Sequence, residues 1–176
     1  LILGGSQAAK VFAEKLPNIF EKCQNNGVSL KIYQQCLPEQ NSSLLNFYNK
    51  INLDYEIFNF SNNIVKYFSK ANLAITRAGS SMLAELINVK IPFISVPLPS
   101  SADNHQLKNA IYYEKNQYSY LIEEKNLDDK LLKLIISIHK NKSLLTEMIA
   151  KQKLHSDEAV YKIIDEEIDK LLNEKY

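Results

Sequence analysis

The sequence predicts an α/β fold: an open parallel sheet with helices on both faces. Three observations carry that expectation. Short apolar runs of strand length alternate with amphipathic helical stretches along the chain. The stretch Ala71 to Pro99 has the length of a strand, a crossover helix and a second strand, a parallel βαβ unit. Three of the four glycines, Gly4, Gly5 and Gly79, stand just after apolar runs, where the chain must turn from strand into helix.

Taken in order, Leu1-Ile2-Leu3 is a strand that runs into the turn Gly4-Gly5-Ser6-Gln7. The helix that follows buries Ala9, Phe12, Leu16, Ile19, Phe20 and Cys23, and Pro17 is expected to kink or break it. Gly27 closes this helix. Leu30 to Tyr33 forms a second strand, Ser43 to Ile51 a helix, and Glu56 to Phe60 a third strand. Phe60-Ser61-Asn62-Asn63 turns into a helix carrying Ile64, Val65, Tyr67 and Phe68. In the central unit, Leu73 to Thr76 and Phe93 to Val96 are strands of buried length. The helix between them turns Met82, Leu83, Leu86, Ile87 and Val89 to one face and Ser81, Glu85 and Asn88 to the other. Beyond it, Pro97 and Pro99 stiffen a loop, and the next helix aligns Gln106, Asn109, Ala110 and Tyr113. A short strand lies near Tyr118 to Ile122. Leu127 to Tyr176 reads as helical, with breaks near Asn141 and at His155-Ser156. Its last helix carries Ala159, Ile163, Ile164, Ile168, Leu171 and Leu172.

Ligands of open parallel sheets bind beyond the carboxyl ends of the strands, which places interest on the turn Arg77-Ala78-Gly79-Ser80-Ser81. Unpaired N–H groups and the dipole at a helix start favour an anionic or oxygen-rich ligand. Ser80 and Ser81 can cap the helix or donate to that ligand. Glu85 lies four residues after Ser81, one too many for a capping box. A carboxylate there suits vicinal hydroxyls, while a plain solvated face is the competing reading for Ser81, Glu85 and Asn88. The paired glycines permit positive φ and close backbone approach, so Ser6 and the neighbouring amides could face a phosphate. A simple tight turn is the alternative. Gly4 to Gln7, Arg77 to Ser81 and Asp103 to Gln106 are three strand-end turns that a doubly wound sheet can bring to one edge.

With 176 residues, 45% of them hydrophobic, the chain is one domain able to bury a core. A net charge of +1 argues against nucleic acid as the main partner. Among 21 basic residues only Arg77 is arginine, suited to planar anion or carbonyl recognition or, alternatively, to a structural salt bridge. Cys23 and Cys36 lack metal-ligand spacing and fit a reducing compartment. No clustered Asp or His set offers a metal site, and no metal or cofactor is expected. No apolar run approaches membrane-spanning length, and no signal peptide is evident. Because the chain starts at Leu1 inside a strand, it reads as part of a larger protein.

The motifs together resemble the MurG family, glycosyltransferases that add N-acetylglucosamine to lipid I. The resemblance spans essentially the whole chain but only the carboxyl-terminal half of such an enzyme. Gly4-Gly5-Ser6-Gln7-Ala8-Ala9 follows a GGSQGA pattern and departs only at Ala8. Arg77-Ala78-Gly79-Ser80-Ser81 with Ala84-Glu85-Leu86 follows RAGAST-AEL, and Pro99, Asp103, His105, Gln106, Asn109 and Ala110 match a third pattern. The resemblance implies a Rossmann-like half of a GT-B enzyme that holds UDP-N-acetylglucosamine. Ser6 would meet the diphosphate, and Gly5, Gln7 and Arg77 belong to the same substrate-binding set. The turn at Phe60 and Ser61 would meet the uracil, and Glu85 the ribose. Gly79, Ser80, Ser81 and Met82 would surround phosphates and ribose, while Gln106, with His105, would hold the sugar hydroxyls, and Asn109 belongs to the same substrate-binding set. His105 is expected to position rather than act as a base. The resemblance also implies catalytic residues, an acceptor site and a membrane patch in an amino-terminal domain of the same protein. That domain would meet lipid I at the cytoplasmic face of the inner membrane, and the terminal helix 156–176 would pack back toward it. A stand-alone nucleotide-sugar subunit of a two-chain transferase and a non-catalytic nucleotide-binding module are the alternatives.

Overall fold

The computed structural model describes residues 1–5, 10–61 and 63–155, so the expectations for Ser6, Gln7, Ala8, Ala9, Asn62 and the helix 156–176 lie outside the described residues. Six strands, all parallel, form one sheet: β1 (Ile2–Leu3), β2 (Lys31–Gln35), β3 (Asp54–Phe58), β4 (Ala74–Thr76), β5 (Phe93–Ser95) and β6 (Tyr120–Leu121). Their order is β3-β2-β1-β4-β5-β6. The order reverses between β1 and β4, which makes the mouth above those two strands the topological switch point.

Seven α-helices are described: α1 (Lys10–Asn25), α2 (Asn41–Lys50), α3 (Val65–Phe68), α4 (Ser80–Asn88), α5 (His105–Lys115), α6 (Leu127–Lys140) and α7 (Ser143–Lys153). Side chains alternate across a strand, and two cores follow from that alternation. Ile2, Ile32, Ile75 and Ile94 point to one face, where they join Phe12, Leu16 and Phe20 of α1, Leu44 and Tyr48 of α2, and Leu131 of α6. Leu3, Tyr33, Ala74 and Phe93 point to the other face and meet Tyr67 of α3, Leu83 and Leu86 of α4, and Ala110 of α5. Helices cover both faces, as the sequence predicts.

Three expectations need correction. Pro17 does not break α1, which runs from Lys10 to Asn25 with Pro17 buried inside it. The turns on either side of Pro17 bury Phe12, Leu16, Ile19 and Phe20, and that tertiary gain outweighs one lost helical hydrogen bond. The third strand lies at Asp54–Phe58 rather than Glu56–Phe60, paired Lys31↔Asp54 through Gln35↔Phe58. As an edge strand it is only half buried, so it accepts Asp54 and Glu56, and a Lys31–Asp54 ion pair at 3.0 Å sits at its start. The central βαβ unit matches its expected order, and α6 and α7 divide at Asn141. Val89 is the C-cap of α4 and exposed, off the buried face that Leu83, Leu86 and Ile87 form.

Candidate functional site

The turn after β1 places Gly5 at φ +73°, and a Cβ there would meet no atom within 4 Å. Backbone conformation therefore requires glycine at this point, and crowding does not. One strand over, β4 ends in Thr76, and Arg77-Ala78-Gly79 leads into α4. Gly79 is the N-cap, extended at φ −71° and ψ 135°, and no side chain caps the helix. Ser80 and Ser81 lie inside the first turn and are exposed, so of their two readings the cap does not form. The first-turn amides of α4, which have no intrahelical acceptors, remain the donors of this turn.

Beyond β5, the loop 96–104 turns sharply through two successive left-handed residues, Asp103 (φ +48°) and Asn104 (φ +54°). This turn starts α5 so that its first two turns face back toward β4. Gln106 Oε1 accepts from the backbone N–H of Ala78 at 3.2 Å and of Leu98 at 3.0 Å. Asn109 Nδ2 donates to the Ala78 carbonyl at 3.0 Å. The Ala78 peptide is thus held on both sides by α5. Since Oε1 faces two backbone donors, Nε2 is the end of Gln106 that can serve a ligand. His105 is exposed, and its Nδ1 lies 2.8 Å from the Ala102 carbonyl. A carbonyl only accepts, so Nδ1 carries the proton.

Of the two roles open to Arg77 from the sequence, the structure shows the salt bridge. Its Nη2 lies 2.6 Å from Glu124 Oε2, and its Nη1 donates to the carbonyls of Val96 (3.2 Å) and Pro97 (3.3 Å). The guanidinium carbon sits 5.1 Å from the Phe12 ring centre, in cation–π range. Nη2 and Oε2 are close but not aligned as a hydrogen bond, so their contact is chiefly one of charge.

These turns enclose a cavity of about 750 Å³ above the switch point. Gly4, Gly5, Thr76, Arg77, Gly79, Met82, Leu98, Gln106 and Glu124 line it, with Lys10, Val11, Glu14 and Lys15 of α1. Each lining cation has a carboxylate partner: Lys10 with Glu14 at 3.6 Å, Lys15 with Asp128 at 2.7 Å, and Arg77 with Glu124. Backbone amides and a helix start, more than net charge, would therefore draw an anion here.

Of the sequence candidates, the fold brings Gly5, Arg77, Gly79, Met82 and Gln106 onto this cavity. Phe60, Ser61, Ser80, Ser81, Glu85, His105 and Asn109 are not on its lining. Asn109 stands behind Ala78, and Glu85 is exposed on α4. Phe60 and Ser61 follow β3, on the same sheet edge but three strand spacings from β4, roughly 14 Å. Their turn is anchored from below: Asn59 Nδ2 donates to the Cys36 carbonyl (2.9 Å), and the Cys36 thiol donates to Asn41 Oδ1 (3.0 Å). Burial pushes that thiol up to about 11, which keeps it a proton donor. Phe60 itself is 84% exposed.

Glu124 is the site residue that motif reading misses. It follows β6 as Arg77 follows β4, so the rule that ligands sit past strand ends marks its position, though no local pattern distinguishes it.

Comparison with known proteins fits this architecture. A curated relative from Pelagibacter ubique (strain HTCC1062) is 40% identical over 158 residues, which is 89% of this chain and 43% of the relative. One from Rickettsia typhi (strain ATCC VR-144 / Wilmington) is 39% identical over 83% of this chain and 39% of the relative. Both are named UDP-N-acetylglucosamine--N-acetylmuramyl-(pentapeptide) pyrophosphoryl-undecaprenol N-acetylglucosamine transferase. The chain thus spans less than half the length of these two relatives. The crystal structure of MurG from Acinetobacter baumannii superposes with a TM-score of 0.77 at 28% identity, over 94% of this chain and 49% of that one. A glycotransferase of kitacinnamycin shares the fold, with a TM-score of 0.62 at 14% identity, over 94% of this chain and 42% of that one. Residues 1–166 match the glycosyltransferase family 28 C-terminal domain, and on that match the chain belongs to this family.

Proposed function

We propose that this chain is the donor-binding domain of an N-acetylglucosaminyltransferase. It would hold UDP-N-acetylglucosamine while an amino-terminal domain of the same protein presents lipid I at the cytoplasmic face of the inner membrane, yielding lipid II. The observation that carries the reading is the cavity at the switch point, where a glycine turn, an uncapped helix start and the donor end of Gln106 converge. The names of the relatives point to the same donor and acceptor.

In this reading the diphosphate lies between the glycine turn after β1 and the start of α4 at Gly79 to Met82, and the GGSQ motif assigns Ser6 and Gln7 to it. Charge grows on the diphosphate as its bond to the sugar lengthens, so dipoles already aimed there bind the transition state better than the ground state. Attack from the opposite side of the sugar would invert the anomeric carbon. Gln106 Nε2 donates to the sugar, and His105 and Asn109 support its helix. Glu85 accepts from the ribose hydroxyls, and the Phe60–Ser61 turn receives the uracil. Among the described residues no helix is long and apolar enough to cross a membrane, and membrane contact is assigned to the amino-terminal domain.

Calorimetry with UDP and UDP-N-acetylglucosamine tests this. Both should bind, and Glu85→Ala should weaken both about tenfold, since the ribose is common to them. Thermal stability should be unchanged, since Glu85 is exposed. A folded chain that binds neither ligand would overturn the proposal.

A further inference from the structure

We infer that Glu124 is a positioning residue of the donor site, acting through Arg77. The inference rests on the donor reading above and concerns how the cavity wall is held.

The guanidinium of Arg77 bridges elements that are distant in sequence. It reaches the carbonyls of Val96 and Pro97, the carboxylate of Glu124 and the ring of Phe12. Its side chain is only 11% exposed. A lysine could not replace this fork, because one ammonium cannot lie in plane with acceptors on two sides. Glu124 supplies the anionic side of the arrangement from the turn after β6. Its side chain is 26% exposed and lines both the donor cavity and an adjoining recess beside Pro97, Pro99 and Leu107.

Two consequences follow. The first is positional. With Nη2 held by Glu124, Nη1 stays on Val96 and Pro97, the residues just before Leu98, whose N–H fixes Gln106 Oε1. Glu124 therefore sets, through Arg77, which way Gln106 turns its donor end. The second is electrostatic. Paired with Glu124, Arg77 adds no net charge to the cavity wall. Without Glu124 the guanidinium is an uncompensated cation on the cavity wall, which can draw a diphosphate into a pose the sugar contacts do not share.

The expected signature is a split between nucleotide and sugar. UDP and UDP-N-acetylglucosamine are titrated separately into the 176-residue chain and its Glu124→Ala, Glu124→Gln and Arg77→Lys variants, at low and moderate salt. Glu124→Ala should bind UDP as tightly as the parent or more tightly, with steeper salt dependence. Its preference for the sugar nucleotide over UDP should fall about tenfold. Glu124→Gln, which keeps the shape but removes the charge that makes the contact, should lose most of that preference as well, and Arg77→Lys should lose it as Glu124→Ala does. In the full-length enzyme, KM for the donor should rise as the sugar preference is lost, and kcat should fall with it. Parallel weakening of both ligands in step with thermal stability, or an unchanged preference, would overturn the inference. If the parent chain binds neither ligand, the donor reading fails on its own. The positional claim is then decided by the Gln106 side-chain amide resonances, which must shift in Glu124→Ala and stay in place in the control Glu147→Ala.

Discussion

Gln106 separates stability from ligand binding at a single residue. Its carboxamide oxygen takes two backbone N–H groups, of Ala78 and Leu98, both partly buried. Truncation to Ala leaves both without an acceptor. Solvent reaches this cavity, so each loss falls at the low end of the usual range, about 1 kcal/mol, or about 2 kcal/mol together. For a chain of 176 residues that corresponds to a fall in Tm of about 4–8 °C. Gln106→Glu is the informative counterpart. At neutral pH its carboxylate can accept both N–H groups, so the Tm should stay close to that of the parent protein. It has no donor end, however, and it places an anion beside the proposed diphosphate. Binding of UDP-N-acetylglucosamine should therefore weaken at least about tenfold in both variants, while only the alanine variant loses stability. Thermal unfolding followed by circular dichroism, with calorimetry at 25 °C, reads both quantities. A Tm for Gln106→Ala within about one degree of the parent would show that water replaces Oε1 without loss. Equal destabilisation by Ala and Glu would show that the two N–H groups are not what Gln106 serves.

Pro17→Ala should stabilise the protein, because it restores an N–H toward the Ala13 carbonyl inside α1 at the expense of some buried ring contact. A net gain of about 1 kcal/mol, read from the urea midpoint, is expected, and a lower midpoint would refute the reasoning. Burial raises both thiols, Cys23 and Cys36, to about 11. In the folded protein at pH 8 they should react with a disulfide reagent far more slowly than in urea, and burst-phase labelling of the native protein would contradict this. Because their folded values lie above the ordinary 9, the linked stability is present below pH 9 and declines as the pH rises past it. Glu56 behaves oppositely: Lys66 and the Tyr67 hydroxyl, each 3.0 Å from Oε1, hold its carboxyl below the usual range. Its contribution is present above the ordinary carboxylate range and lost as the pH falls through the lowered value. Glu56→Gln should therefore flatten the acid limb of the stability profile, and an unaltered limb would refute the assignment.

Much of this molecule is legible from local pattern. Short apolar runs and apolar helical faces report on neighbours a few residues apart, so the βαβ unit from Ala71 to Pro99 and the break at Asn141 can be read before any fold is known. Glycine chemistry is equally local: positive φ at Gly5 is a demand of one residue's backbone. Boundaries are less secure wherever the deciding partner is remote. The third strand begins at Asp54 because Lys31 stands opposite, and α1 continues through Pro17 because the sheet buries its flanks.

The division is sharpest at the cavity. From sequence alone come the alternation that makes the sheet, the turns at its carboxyl edge, and the residue types those turns present. Only the folded chain decides which end of each side chain is left for a ligand. Arg77 could meet an anion until Glu124, 47 positions away, occupies one side of its fork. Gln106 could offer oxygen or nitrogen until two backbone amides claim the oxygen. Hydrogen bonds and charge contacts act over a few ångströms and disregard sequence separation, so such assignments depend on how β4, β5 and β6 come to lie side by side.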